Sequence, residues 1–303
     1  MTAFADATEA DVRAAFDEQD YVAGDDVVTT ALLALRLGKP LLVEGAPGAG
    51  KTELAKTLAR GFDTDLVRLQ CYEGLAAENA LYEWNYTKQL LAVEGGDADV
   101  DGETSVFDEE YLLERPLLRA LAAADEGENP PVLLVDELDR ADEAFEALLL
   151  EVLSDFQVSV PELGTVSAER PPIVVLTSNR TRGLSDALKR RCLYLHVEPP
   201  SFERELEIVE RKSALDSAVA AEVCGVVQAL RERALRKQPG VAETLDWADA
   251  LAALDIEELD AETIERTLGC LLKDATDVEQ IDAEAIEAAL DEARPGARTA
   301  DTA

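Results

Sequence analysis

The sequence predicts an α/β fold: a parallel five-stranded sheet flanked by helices, followed by an all-α C-terminal domain. Three observations lead there. Short, wholly apolar runs recur at 41–43, 132–135 and 173–176, as expected of strands buried on both faces. Segments with apolar residues at helical spacing separate these runs. Beyond Pro199-Pro200 the chain is rich in Ala, Leu, Glu and Arg at helical spacing, with no convincing strand.

In order, an amphipathic helix over 25–37 is ended by Gly38-Lys39-Pro40, and the first strand follows at 41–43. Gly45-Ala46-Pro47-Gly48-Ala49-Gly50-Lys51-Thr52 comes next, then a helix beginning at 53. The alternating segment 65–70 predicts a second strand. Residues 81–86 place Tyr82, Trp84 and Tyr86 on one face of a strand, either as a contact hairpin or as core packing. The acidic, glycine-rich stretch 94–103 predicts an exposed loop, and a helix is expected over about 109–123. Strand 132–135 ends in Asp136-Glu137. A helix at 141–155, a hairpin at 157–168, strand 173–176 ending in Thr177-Ser178-Asn179, a short helix at 185–190 and strand 193–197 complete the first domain. The expected organisation is an N-terminal linker at 1–24, a nucleotide-binding α/β core at 25–199, a lid of about four helices at 200–294 and a disordered tail at 295–303.

The segment 45–52 fits G-x-x-x-x-G-K-[ST] in its proper strand–loop–helix setting. Backbone N–H groups of such a loop point inward and the helix N-terminus adds positive potential, so phosphates bind there. Gly45, Ala46, Pro47, Gly48, Ala49, Gly50 and Lys51 are therefore candidate ATP ligands, with Lys51 reaching the β- and γ-phosphates. Thr52 and Asp136 are the candidate Mg²⁺ residues, because an acid at a strand's carboxyl end faces the ligand edge of the sheet. Glu137, one residue on, would polarise the attacking water. Asn179 closes the neighbouring strand at the same edge, as a γ-phosphate contact or as a helix N-cap. Arg190 and Arg191 follow the short helix, either completing a neighbouring subunit's site or forming surface ion pairs.

Composition narrows the partners. Asp and Glu number 64 against 28 Lys and Arg, a net charge of −36. Such an excess argues against nucleic acid and anionic membranes, which need clustered cations. It suits either a concentrated-salt cytoplasm or a basic protein partner. No apolar run approaches the roughly 18 residues of a membrane helix, and the N-terminus carries no signal-peptide pattern. Four scattered cysteines and a single histidine, His196, make zinc improbable and provide no nucleophile set; His196 is expected as a packed core residue.

On these motifs the chain resembles the AAA+ ATPases, and within them the MoxR family. Residues 45–52 are similar to its Walker A. Val132-Leu133-Leu134-Val135-Asp136-Glu137-Leu138-Asp139 with Arg140-Ala141 is similar to its Walker B, and Thr177-Ser178-Asn179 to sensor 1. Residues 184–191 resemble the helix ending in the arginine finger, the alignment favouring Arg191 over Arg190. The stretch 74–108 resembles the helix-2 insert of this clade, and 156–172 its pre-sensor hairpin. Cys71-Tyr72-Glu73-Gly74 and 81–86 resemble the CoxD-type branch, associated with maturation of molybdenum enzymes. The four cysteines suit reduced thiols of a cytoplasmic protein, and the resemblance implies a chaperone-like ATPase that uses ATP and Mg²⁺, with ATP between core and lid and Tyr21 and Val22 near the adenine. It also implies a ring, expected to be a hexamer, working with a von Willebrand factor A-domain protein on a metalloenzyme client. One departure stands out: where the family often carries a sensor-2 arginine, this chain has Thr244. A slow nucleotide-gated scaffold and a phosphate-loop kinase are the rival readings.

Overall fold

The computed structural model describes residues 3–95, 109–160 and 164–294. These divide into two compact units. One holds the residues up to 19, 23–45 and 51–196; the other holds 20–22, 46–50 and the chain from 197 onward.

In the first unit, α1 (Glu9–Asp17) opens with a reciprocal cap between Thr8 and Asp11 and buries Val12, Ala15 and Phe16. The segment expected as a linker thus carries a packed helix. Its face rests on the helix after the phosphate loop, where a Cβ on Gly61 would stand 2.6 Å from that of Ala15. Helix α2 (Asp25–Leu37) stops at Gly38, whose φ of 60° only a residue without Cβ adopts cheaply. Then come β1 (Leu41–Gly45), α3 (Lys51–Gly61), β2 (Leu66–Gln70), α4 (Ala77–Leu81), β3 (Tyr82–Trp84), α5 (Tyr86–Gly95), β4 (Leu112–Glu114) and α6 (Pro116–Ala123). After these follow β5 (Val132–Asp136), α7 (Glu143–Asp155), β6 (Gln157–Val160), β7 (Gly164–Ser167), β8 (Ile173–Ser178), α8 (Asp186–Arg191) and β9 (Leu193–Val197).

The main sheet is five-stranded and parallel, in the order β2-β5-β8-β1-β9. Register pairs Leu41 with Val175, Leu134 with Val175 and Arg68 with Leu134. The central strands β1, β5 and β8 are buried along their whole length, the physical reason for their uninterrupted apolar character. Leu117, Leu118, Leu121, Phe145 and Leu149 of the flanking helices close over Leu42, Leu133, Val135, Val174 and Leu176. Because the strands are parallel, β1, β5 and β8 all deliver their last residues to one edge.

Several expectations change. Residues 81–86 are not one strand: β3 pairs antiparallel with β4, and Tyr86 instead begins α5. Tyr82 packs against the main core and Trp84 beside buried Tyr111, while Tyr86 is 70% exposed. The helix expected over 109–123 is a 3₁₀ turn (Glu109–Tyr111), then β4, then α6 from Pro116, because Pro116 suits only a first helical turn. The acidic loop beyond residue 95, the turn 161–163 and the tail 295–303 lie outside the described residues.

The described residues of the second unit form α9 (Phe202–Lys212), α10 (Ser217–Arg231), α11 (Val241–Ala253), α12 (Ala261–Leu271), α13 (Ala275–Gln280) and α14 (Ala283–Ala293), six helices where about four were expected. Short α13 was hidden because its six residues give no measurable periodicity. Val223, Leu230, Trp247, Leu251, Leu268 and Leu290 form its core, and the indole of Trp247 donates to Thr267 at 2.8 Å. Many of the acids have structural work. Asp142, Asp216, Asp260, Asp274 and Asp282 each accept a backbone N–H at a helix start, where the orphan amides and helix dipole favour an anion.

Candidate functional site

Strand β1 runs into the loop 46–50, and Lys51 starts α3. Gly48 and Gly50 hold φ of 76° and 85°, the left-handed conformation that turns successive amides to one side of a loop. Lys51 is buried, and its Nζ donates to the Gly45 carbonyl at 2.9 Å. Burial lowers its pKa below the ordinary lysine value, opposed by the negative charges of Asp139, Asp136 and Glu137. The predicted lysine and acids therefore do share one electrostatic environment.

At the end of β5, Asp136 is almost fully enclosed and every acceptor face is engaged. Its Oδ1 accepts the hydroxyls of Thr52 at 3.0 Å and Thr177 at 2.6 Å. Its Oδ2 accepts from Arg68 through Nη2 at 2.6 Å and Nε at 3.1 Å. Glu137 follows with φ of 55° and ψ of 48°, a conformation costly for a residue with a side chain. Two bonds hold it there: its N–H donates to Thr177 Oγ1 at 2.9 Å, and its carboxylate accepts Arg140 at 3.0 Å. The twist turns the chain so that Glu137 leaves the line of the strand while its carboxylate stays accessible to water. Thr52 and Asp136 present hard oxygen donors next to the first turn of α3, a set that fits Mg²⁺ held largely through its water shell.

Asn179 joins this edge through its backbone. Asp139, nearly buried, accepts the N–H of Asn179 at 3.1 Å and both the N–H and the hydroxyl of Thr181, at 2.9 and 2.6 Å. Burial raises the Asp139 pKa, but the Thr181 and Asn179 bonds outweigh it and the net shift is downward. The capping alternative for Asn179 falls away, since Ser185 caps α8. Glu44, buried at the end of β1, accepts the Tyr194 hydroxyl at 3.0 Å and lies 3.8 Å from Arg180.

The other predicted residues belong to other segments of the chain. Arg190 and Arg191 are exposed at the C-terminus of α8. Tyr21 and Val22 are half-buried in the second unit, where the Val22 carbonyl accepts Arg204 at 3.1 Å. His196 is exposed rather than packed: β9 buries Leu195 on one face and leaves Tyr194 and His196 exposed on the other. Burial pushes the Cys71 and Cys192 thiols up to about 12, consistent with inert thiols. Among the described residues no cluster of His, Cys, Asp or Glu could hold a metal ion by itself.

Thr244 lies deep in the second unit. Its hydroxyl donates to Glu205 at 2.7 Å, and Arg231 grips both Glu205 oxygens at 2.6 and 2.7 Å. In the same unit Gly240, at the start of α11, meets the phosphate loop backbone to backbone: a Cβ on Gly240 would stand 3.0 Å from Gly48 Cα and from the Pro47 carbonyl. Glu243 caps the Gly240 amide at 2.9 Å.

Sequence reasoning did not single out Arg68, Asp139, Thr177 or Glu44. For Arg68 a signal existed: it is the charged residue in an otherwise alternating strand, between buried Val67 and Leu69.

The family described as "AAA domain (dynein-related subfamily)" matches residues 40–192, half of the chain. The chain belongs to this family. The match spans the phosphate loop, Asp136 of β5 and Glu137 after it, Asn179 and the arginines of α8. Among similar proteins, the uncharacterized protein SH1500 of Staphylococcus haemolyticus is 26% identical over 263 residues, covering 82% of this chain and 91% of SH1500. The uncharacterized protein YehL of Escherichia coli K12 is 27% identical over 246 residues, covering 77% of this chain and 63% of YehL. A point variant of Thermotoga maritima RuvB has the same fold at a TM-score of 0.50 and 20% identity, over 88% of this chain and 73% of that one.

Proposed function

We propose that this AAA-family chain hydrolyses ATP and uses the energy to remodel a client protein, as a chaperone-like ATPase of the MoxR type. The observation that carries the reading is the meeting of Thr52, Thr177 and Asp136 within hydrogen-bonding distance, beside a Glu137 held in left-handed backbone. A strand that merely ended in solvated acids would not enclose one of them and twist the next.

In this mechanism the amides of the loop and Lys51 bind the triphosphate. Thr52 and Asp136 would hold Mg²⁺, which would supply neutralising charge at the phosphates. Glu137 orients the attacking water and takes its proton. Asn179, positioned by Asp139, contacts the γ-phosphate side. Arg191, with Arg190 beside it, is exposed and free of that cluster, which suits supply of positive charge to a neighbouring subunit's site in a ring, taken to be a hexamer. The client-facing part is the insert 74–108, whose helix α5 leaves Tyr86, Leu90, Leu91 and Val93 exposed. By family resemblance the client is a metalloenzyme, a molybdenum hydroxylase of the carbon monoxide dehydrogenase type being the leading candidate, and a von Willebrand factor A-domain protein the partner. Tyr21 and Val22 would flank the adenine, and the cytoplasm is the expected location.

Glu137→Gln is expected to keep ATP affinity and lose about 100-fold or more in turnover, while Lys51→Ala loses binding itself. Calorimetry and phosphate release measure the two separately; unchanged turnover in Glu137→Gln removes that residue from the mechanism. A slow nucleotide-gated scaffold is the second reading, favoured by Thr244, which is committed to the Glu205–Arg231 pair and offers no cation to a phosphate. RuvB is a Holliday junction branch migration motor. A net charge of −36 argues against DNA as the substrate here.

A further inference from the structure

Arg68 grips the buried Asp136, and the proposed chemistry leaves that contact unexplained. It lies on β2, an edge strand, two residues before Gln70, which pairs in register with Asp136. Strand alternation places Arg68 and Gln70 on the same face, so the guanidinium reaches along the strand to the acid. Both contacting nitrogens converge on one oxygen, Oδ2. The other oxygen, Oδ1, already accepts two hydroxyls. Oδ2 is therefore the face of Asp136 through which a metal's water shell would be held, and Arg68 covers it.

We propose that Arg68 is a positioning residue that holds the place of the metal: a tethered cation that neutralises Asp136 before Mg²⁺–nucleotide arrives and yields Oδ2 when it does. This rests on the ATPase reading above. The two ends of the contact are built unequally, as exchange requires. The Asp136 side chain is 3% exposed and that of Arg68 is 49% exposed. A buried carboxylate without a partner is costly, whereas a half-exposed guanidinium can return to water. Arg68 also has a second acceptor within reach, Gln70 Oε1 at 2.6 Å, so release from Asp136 does not strand it. Mg²⁺ must then displace a charge rather than meet a bare acid, and part of its affinity goes into that displacement.

The test is the magnesium dependence of ADP binding, measured by calorimetry on the full chain with magnesium and with EDTA. In the wild type, magnesium is expected to strengthen binding modestly. Arg68→Gln is expected to raise the ratio of the two affinities about tenfold, the scale of one charge-assisted hydrogen bond (~1.4 kcal/mol). Magnesium alone, without nucleotide, is expected to raise the melting temperature of Arg68→Gln more than that of the wild type. Arg68→Met serves if the first variant fails to fold. A ratio equal to or below the wild-type ratio overturns the inference. If the folded wild type binds no adenine nucleotide, the ATPase reading itself has failed, an outcome distinct from unchanged magnesium dependence in two chains that both bind ADP.

Discussion

Asp136 at the sheet edge and Glu205 in the helical unit are both buried carboxylates engaged by an arginine, yet their surroundings differ in kind. Arg231 is itself largely buried, spans both oxygens of Glu205 and is joined there by Thr244. Nothing in that set can leave without abandoning a charge in low dielectric. Arg68 touches one oxygen only, is half in solvent and has an alternative acceptor. The two pairs would look alike in an inventory of ion pairs. What separates a fastener from an exchangeable contact is the exposure of the cation and the number of carboxylate oxygens it occupies.

Three experiments would break or sharpen that contrast. The largest effect is expected from Arg191, which touches neither acid. If it serves a neighbour's sheet edge, Arg191→Ala lowers turnover by about 10³–10⁵-fold. Mixing it with inactive Glu137→Gln subunits should restore activity, because each mutant supplies what the other lacks; mixtures that stay dead place Arg191 outside the site. Next, Arg231→Met is expected to cost about 3–5 kcal/mol in denaturant unfolding, since it leaves the Glu205 charge buried without a cation, and adding Glu205→Leu should recover much of that loss. A cost below about 1 kcal/mol would mean that the pair is not closed after all. The smallest effect concerns Asp139, whose folded-state pKa is depressed. A depressed carboxylate stabilises the fold above its unfolded value, about 3.9, and that contribution disappears as pH falls through the folded value. Asp139→Asn should therefore flatten the acid limb of the stability profile below about pH 4, as measured by thermal unfolding. A limb as steep as in the wild type would show that the clamp on Asn179 and Thr181 does not draw on this charge.

Much of the sheet edge was legible from the residues alone, for reasons of local geometry. Parallel strands buried on both faces must be apolar throughout, so β1, β5 and β8 declared themselves. A phosphate loop is a short-range object whose glycines and lysine fall at fixed spacing. What could not be read depends on partners far along the chain. Arg68 is 68 residues from Asp136, and Thr177 is 41 from it. No periodicity reports such meetings; only the order β2-β5-β8 creates them. The misread stretches are short ones. Leu112-Leu113-Glu114 suits a helix or a strand equally well, and pairing with Tyr82-Glu83-Trp84 decides it. His196 was misjudged because β9 buries only the face that carries Leu195, and His196 lies on the other.

Gly48 and Gly240 approach each other as bare backbone, with the Glu243 carboxylate lying against both. Ordinary contacts between segments have slack, since a leucine can change rotamer and absorb half an ångström of displacement. Two bare backbones have no such cushion. Any reshaping of the turn around a bound anion is passed stiffly to the residue that caps α11, and even a single methyl at either glycine would wedge the joint open.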